Sequence, residues 1–285
     1  MIEFRYIPSR PHDPYTNMAI DEAISRAVKK GHVPPTFRFY TWRQPSISIG
    51  YFQKPEEDLD LALLDKDHIP WVRRMTGGRA IFHHRELTYS LSAPTLLLSD
   101  ASSPGPEAPV PFFPKGIRET YRKISMGLLF ALRKLDLPVS AFTGGILDSR
   151  PLNKRKKQTP NPLCFSDPSW HEIMIGGKKV VGSAQKRTRN GFIQQGSILL
   201  SHQFEDFRSY FKLNGPSSPD CVGISDYLKK EVDPESLEAL IVAAFEEIWG
   251  IKMSRGGMTP EEEDLAEKLL EEKYRRKEWN LYRKI

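Results

Sequence analysis

Apolar residues change their spacing several times along the chain, and each change predicts an element. Phe4, Tyr6 and Ile7 open a strand. Ile20, Ala23, Ile24, Ala27 and Val28 share one face of a helix predicted over 16–30, and Gly31 is placed to end it in the left-handed conformation. Pro34-Pro35 closes the connection. Alternation then returns over 36–42, TFRFYTW, which predicts a half-buried strand, and again over 46–51. A short helix is predicted over 56–66, with strands over 71–74 and 87–93. The longest helical stripe joins Ile117, Tyr121, Ile124, Leu128, Leu132 and Leu135, predicting a helix over 116–136 whose apolar side packs on a sheet. A hairpin follows, with strands over 171–175 and 178–184 joined by Gly176-Gly177, and a further strand ends at 198–200.

Beyond residue 200 the pattern turns helical. A short helix is expected over 204–211. Asp233-Pro234 is an N-cap followed by proline, and Leu237, Leu240, Ile241, Ala244, Phe245, Ile248 and Trp249 form a stripe that ends at Gly250. Thr259-Pro260-Glu261-Glu262 reads as a capping box opening a charged helix to about 276. The expected organisation is an α+β domain over 1–212 followed by a C-terminal helical appendage over 213–285. Residues 98–114, rich in Ser and Pro, and residues 148–159 read as surface loops.

Composition narrows the class. Hydrophobic residues make up 39% of 285, enough for a sizeable core. No apolar run approaches the ~18 residues a spanning helix needs. Met1-Ile2-Glu3-Phe4 passes straight into strand-like sequence, so the cytoplasm is the expected compartment. Two cysteines, Cys164 and Cys221, suit a reducing environment. CxxC, HExxH and EF-hand patterns are absent, so no metal site is expected. GxGxxG and GxxxxGK[ST] are absent too, leaving no nucleotide motif. The net charge is +6, which favours an acidic partner: nucleic acid, an anionic membrane or an acidic protein. Most cations are scattered rather than set in a stripe with aromatics, which argues against a nucleic-acid binder. The exception is the loop carrying Arg150, Lys154, Arg155, Lys156 and Lys157, read either as a solvated loop or as a docking patch.

The candidate chemistry lies in 162–200. Cys164 stands between Pro162 and Pro168, in turn-rich sequence, and Lys179 follows across one strand and a turn. A cysteine acts as a nucleophile only as thiolate, so it needs a nearby cation or dipole. A thiol and an amine flanking a carbonyl suit thioester exchange followed by attack of an amine. The plainer readings are an inert buried cysteine and a solvated lysine. Lys178 and Lys179 face opposite ways on a regular strand, so at most one points inward. Cys221 has no basic residue close in sequence and is expected to be incidental. Upstream, Arg73-Arg74-Met75-Thr76-Gly77-Gly78-Arg79 places two glycines between cations, a simple turn or a place where backbone approaches an anion or carbonyl.

These segments carry a resemblance. Residues 73–83, RRMTGGRAIFH, are similar to the RR-x-[ST]-G-G-[GR]-A-x-x-H motif of the lipoate and octanoate attachment superfamily. Residues 177–185, GKKVVGSAQ, resemble its G-x-K-[IV]-x-G-[ST]-A-Q motif, which puts the essential lysine on Lys179. Residues 17–22, NMAIDE, and 48–53, SIGYFQ, resemble its two earlier signatures. Residues 164–172, CFSDPSWHE, are most similar to the cysteine-dependent octanoyltransferase branch, as is the region 271–279. The resemblance spans nearly the whole chain. It implies a mixed, largely antiparallel sheet with flanking helices, shared with biotin protein ligases. It also implies a reaction needing neither ATP nor metal. Octanoate moves from acyl carrier protein to Cys164 as a thioester, then to the lysine of a lipoyl domain such as glycine cleavage protein H or an E2 subunit. Lys179 would polarise the carbonyl. Arg73, Arg74, Thr76, Gly77, Gly78 and His83 would line the acyl pocket, facing Gly182, Ser183 and Ala184, where backbone N–H groups suit an oxyanion. Lys154, Arg155, Lys156 and Lys157 would dock the acidic carrier, and the enzyme is expected to be a monomer.

One departure stands out. The branch has Asp after the motif histidine, and this chain has His84. The enzymatic rivals are an ATP-dependent lipoate ligase and an octanoyl amidotransferase. Ligases carry Asn-Asp ahead of the lysine strand where this chain has Ser169-Trp170-His171-Glu172, which disfavours the first. A non-catalytic basic binding protein is the rival of another class.

Overall fold

A computed structural model describes residues 1–96, 111–141, 172–201, 207–213 and 220–285. Cys164, His171 and the cations 150–157 lie outside the described residues. Strands β1 (Glu3–Ile7) and β2 (Pro11–His12) lead into helix α1 (Pro14–Lys30), then β3 (Thr36–Trp42) and β4 (Ser46–Ile49). The single helix expected over 56–66 is two, α2 (Pro55–Asp58) and α3 (Leu61–Lys66). Asp60 caps the second through Leu63 N–H, which is why the chain restarts there. β5 (Trp71–Arg73), β6 (Ile81–His83) and β7 (Glu86–Pro94) follow, then α4 (Ile117–Arg133), β8 (Val139–Ala141), β9 (Ile173–Ile175), β10 (Lys178–Arg187) and β11 (Gly191–Leu199). In place of the helix expected over 204–211, the described part holds one 3-10 turn, Arg208–Tyr210. The chain ends with α5 (Ile224–Leu228), α6 (Pro234–Trp249), β12 (Lys252–Arg255), α7 (Pro260–Leu269), a π turn (Leu270–Tyr274) and α8 (Lys277–Tyr282).

The main sheet runs β12-β1-β3-β7-β11-β10-β9-β8, with β2 beside β3. It is mixed: β12, β1 and β3 are mutually parallel, and every pair from β3 to β8 is antiparallel. A second sheet, β5-β4-β6, is small. Helices α4 and α6 cover one face of the main sheet, burying Phe37, Tyr89, Leu128, Ile241 and Phe245 in the larger core. Gly127 lets them close together, since a Cβ there would sit 2.3 Å from the Phe245 ring. Helices α1 and α7 cover the other face with a second core that includes Ile20, Ile24, Tyr40 and Trp42. No helix among the described residues is long and apolar enough to cross a membrane.

Both faces of β3 are therefore covered, and the half-buried strand expected over 36–42 is almost fully buried. Arg38, on its polar face, points into the protein. Its guanidinium donates to Asp21 (2.7 Å) and to Asn17 Oδ1 (2.6 Å), which compensates the burial of charge. The C-terminal stretch is helical, as its caps predicted: Asp233 accepts from Ser236 N–H, and Thr259 and Glu262 form the capping box. It is also tied into the domain. β12 is the edge strand beside β1, and buried Arg5 of β1 makes a two-pronged ion pair with Glu262 at 2.7 and 2.6 Å.

Candidate active site

Strand β10 positions the lysine. It pairs with β9 through Lys179↔Met174 and then Val181↔Ile173, so one extra residue is inserted at Val180. This bulge lets Val180 and Val181 both enter the core beneath α4. Lys179 is thereby left on the opposite face, buried at 1%, while Lys178 is exposed. The Lys179 ammonium donates to the buried Glu172 carboxylate at 2.6 Å. Its backbone continues into the segment holding Cys221: Lys179 N–H donates to Asp220 O and Val222 N–H to Lys179 O. A basic residue thus does stand beside Cys221, although none is near in sequence. Burial still dominates there and pushes the thiol up to about 12, against a smaller opposing pull from Lys179. Cys221 packs on Ile81 and Leu199.

Ile81 also lines a narrow cleft between the main sheet, the small sheet and α1. Gly182, Ser183 and Ala184 form one wall, and Arg74, His83 and Met18 line it from other sides. The small side chains at 182–184 keep the space open. Behind Ser183, its Oγ bonds the Tyr89 hydroxyl at 2.8 Å, and Gln194 Nε2 donates to that hydroxyl at 2.9 Å. Gly196 opposite leaves room for this pair, since a Cβ there would lie 2.3 Å from the Tyr89 ring and 2.5 Å from Ser183 Oγ.

The Thr-Gly-Gly turn reaches the cleft through a chain of close contacts. Gly78 takes φ +86, and a Cβ on it would meet Arg74 Nη2 at 2.8 Å and Ala184 at 3.3 Å. Gly50 packs so closely on this turn that a Cβ would fall 1.9 Å from the Gly78 carbonyl oxygen. Arg74 holds the turn from inside, donating to the carbonyls of Gly77 (2.8 Å), Arg79 (2.7 Å) and Ser48 (3.1 Å). Thr76 is fully buried behind the cleft and donates to Gln195 Oε1 at 2.7 Å. Gln195 donates in turn to Asp21 at 2.7 Å, which also accepts from Arg38, Tyr40 and Ser90. The motif over 17–22 therefore contributes a buried polar hub through Asp21 as well as Met18 to the cleft lining.

Arg73 departs from the expectation that it lines the pocket. Its guanidinium turns away and donates to six backbone carbonyls: Gly50, Tyr51, Gln53, Trp279, Asn280 and Leu281, at 2.7–3.3 Å. Burial pulls its pKa down to about 10, and the nearby charge of Arg283 adds to the fall. It is a clamp between the loop after β4 and the C-terminal helix.

His83 is in the cleft, stacked on Trp42 with ring centroids 3.7 Å apart. Ser48 Oγ lies 2.7 Å from Nε2 and also accepts from Arg74. Nδ1 lies 2.7 Å from Glu86 Oε1, and an ionised carboxylate can only accept, so Nδ1–H donates to it. Burial alone would raise the Glu86 carboxyl, but His83, Thr88 and other donors hold it below its ordinary value. Glu86 was not singled out in the sequence, where it is one polar residue opening an alternating strand. It orients the motif histidine in this chain. His84 faces the other way, into a separate cleft beside Phe82 and Phe207.

The family follows from this fold and site. Residues 13–246 match the lipoyl protein ligase A/B catalytic domain model, and the chain belongs to that family. Among curated relatives, the octanoyltransferase LipM of Kyrpidia tusciae is 37% identical over 280 residues, 94% of each chain. That of Moorella thermoacetica is 34% identical over 287 residues, 97% of each chain. A solved lipoate-protein ligase A bound with ATP superposes with a TM-score of 0.74 at 25% identity, covering 98% of this chain and 99% of its own.

Proposed function

We propose that this protein is an octanoyltransferase of lipoate assembly, working as a monomer in the cytoplasm. The reaction uses two acyl transfers. The Cys164 thiolate attacks the thioester carbonyl of octanoyl-acyl carrier protein; the new C–S bond forms as the pantetheine thiol leaves. The lysine amine of a lipoyl domain, on glycine cleavage protein H or an E2 subunit, then attacks the Cys164 thioester. An amide forms, the cysteine leaves as thiolate, and the amine proton is lost to base or water. The thioester is already activated, so the balance is complete without ATP.

The observation that carries this reading is one strand. β10 presents the buried Lys179 and, three residues on, the small-residue wall of a narrow cleft, in a chain closely related to proteins named octanoyltransferases. Lys179 supplies positive charge toward a developing oxyanion, and Glu172 holds its ammonium in place. The cleft takes the acyl tail against Gly182, Ser183 and Ala184, with His83 fixed on another wall. The cations 154–157 remain a candidate docking patch.

Intact mass spectrometry tests the reading. Mixing the protein with octanoyl-acyl carrier protein and no ATP is expected to give one octanoyl adduct. The adduct should be labile to hydroxylamine and missing in Cys164→Ser. An adduct that appears only with octanoate and ATP would instead make the chain a ligase.

A further inference from the structure

Strand register sets the Lys179–Glu172 pair. Lys179 pairs with Met174, so the two side chains share the face opposite Ile173 and Ile175, which enter the larger core. Glu172, two residues before Met174, takes that same face as the diagonal neighbour of Lys179. Its carboxylate accepts from the ammonium at 2.6 Å, and both side chains are buried. Taking two charges out of water is costly, and an apolar pair of similar size would fill the space without that cost. Chemistry accounts for the pair better than stability does.

The two acyl transfers differ in their protons. In the first, one thiolate replaces another, and no proton is gained or lost. In the second, a lysine amine of ordinary pKa about 10.4 arrives as ammonium at neutral pH. It loses two protons on becoming an amide. The departing cysteine thiolate can take one, and the other needs an acceptor. The remaining titratable groups near Lys179 among the described residues suit that task poorly. Cys221 keeps its proton, since burial pushes its thiol up to about 12 against the pull of Lys179. Asp220 beside it and Lys178 on β10 are exposed. In the cleft, Arg74 is taken up by backbone carbonyls, and His83 has Nδ1 on Glu86 and Nε2 against Ser48. Burial would raise the Glu86 carboxyl, but His83 and its other donors hold it below its ordinary value.

We propose that Glu172 is the proton acceptor of the second transfer and that it acts through Lys179. The proposal rests on the transferase reading above. As the acceptor ammonium arrives, the proton of the Lys179–Glu172 hydrogen bond passes to Glu172 Oε1, and Lys179 takes one proton from the acceptor. The neutral amine attacks the thioester carbonyl. The C–N bond forms, the C–S bond breaks, and the leaving thiolate takes the second proton. Glu172 returns its proton to solvent after the amide departs. Charge favours this order. Before the relay the pair is neutral overall and does not repel the incoming cation. After it, Glu172 is neutral and Lys179 cationic, so an uncompensated positive charge stands beside the oxyanion as it develops. Glu172 touches no substrate in this scheme and is a positioning residue.

Single-turnover mass spectrometry separates the two transfers: the adduct is formed from octanoyl-acyl carrier protein and then mixed with a lipoyl domain. Glu172→Gln keeps the size of the side chain and an acceptor oxygen for Lys179. Its transfer to the lipoyl-domain lysine at pH 7 is expected to fall about 100-fold, and its adduct formation only about threefold. The transfer deficit should shrink as pH rises from about 7 to about 9, where more of the acceptor amine sheds its proton to water. Hydroxylamine is already neutral at pH 7, so it should cleave variant and wild-type adducts at rates within about threefold of each other. Glu172→Asp keeps a carboxylate one methylene short. It should show the same split between transfers with the wild-type pH profile, and it carries the test if the Gln variant does not fold. An equal loss in both transfers, or a deficit that neither pH nor hydroxylamine relieves, makes Glu172 a structural partner of Lys179 and overturns the proposal alone. A wild-type protein that forms no adduct without ATP overturns the transferase reading and the proposal with it.

Discussion

Arg73 and Asn280 hold each other across 207 positions of chain. The Arg73 backbone N–H donates to Asn280 Oδ1 at 2.8 Å, and the Arg73 guanidinium donates back to the Asn280 carbonyl at 3.0 Å. Trp279 closes the clasp, its indole N–H donating to Arg73 O at 2.9 Å. The first residue of the Arg-Arg-x-Thr-Gly-Gly motif is thus a fastener for the C-terminal helix. Asn280→Ala strands a buried N–H and is expected to cost about 2 kcal/mol by denaturant titration. Arg73→Lys should cost more, because an ammonium has three donors for six carbonyls. Equal stability of Arg73→Lys and wild type would show that the clasp contributes nothing.

Acid should loosen the same join. Burial alone would raise the pKa of Glu22, but Lys273, Tyr274 and Arg26 overcome it and hold the carboxyl below its ordinary 4.5. A carboxyl depressed in the folded state adds stability above its unfolded pKa and loses it as pH falls through the folded one. Melting temperature is therefore expected to hold from pH 7 to near 5 and to drop below about 4.5. Glu22→Gln should lower the neutral plateau and flatten the acid limb. Parallel curves for the two proteins would exclude Glu22 as a source.

The two lysines of β10 separate cleanly. Lys179→Ala is expected to abolish octanoyl transfer and, by leaving the buried Glu172 carboxylate without its ammonium, to destabilise the protein by about 3–5 kcal/mol. Lys178→Ala should change neither, since that side chain is exposed. Transfer followed by mass spectrometry, with a thermal melt on each variant, checks both. Similar losses at 178 and 179 would contradict the bulge.

The glycines of the motif loops differ in what they tolerate. Gly50→Ala drives a Cβ into the Gly78 carbonyl and should destabilise the protein and displace the turn. Gly77→Ala meets no atom of the described residues within 4 Å and has no positive φ, so the folded state should accept it. Thermal melts give the comparison directly.

Cys221 should be silent toward alkylating agents at pH 8, because its thiol is pushed up to about 12 and is buried. Native protein treated with iodoacetamide is expected to take its label at Cys164. Labelling of Cys221 before unfolding would contradict its placement.

Local pattern carried far in this chain. The periods of Ile20–Val28 and of Ile117–Leu132 located α1 and α4, and Asp233-Pro234 and Thr259–Glu262 located two helix starts, because caps and stripes depend on neighbours three or four residues away. The motif segments also marked where side chains would gather. Their division of labour was decided by the tertiary structure. Arg73 faces carbonyls two hundred residues on, His83 is aimed by Glu86 and Ser48, and Asp21 of the 17–22 segment meets Gln195. Lys179 is buried on Glu172, away from the core that takes Val180 and Val181, and pairing with β9 inserts a bulge at Val180 that strict alternation along β10 does not contain. Residues 213–285 looked like an appendage because their periods are helical; β12 and the Asn280 clasp join them to the domain through partners at the other end of the chain. Hydrogen-bond partners and strand register are set between distant segments, so a residue's own neighbourhood names its chemistry but not the group it will face.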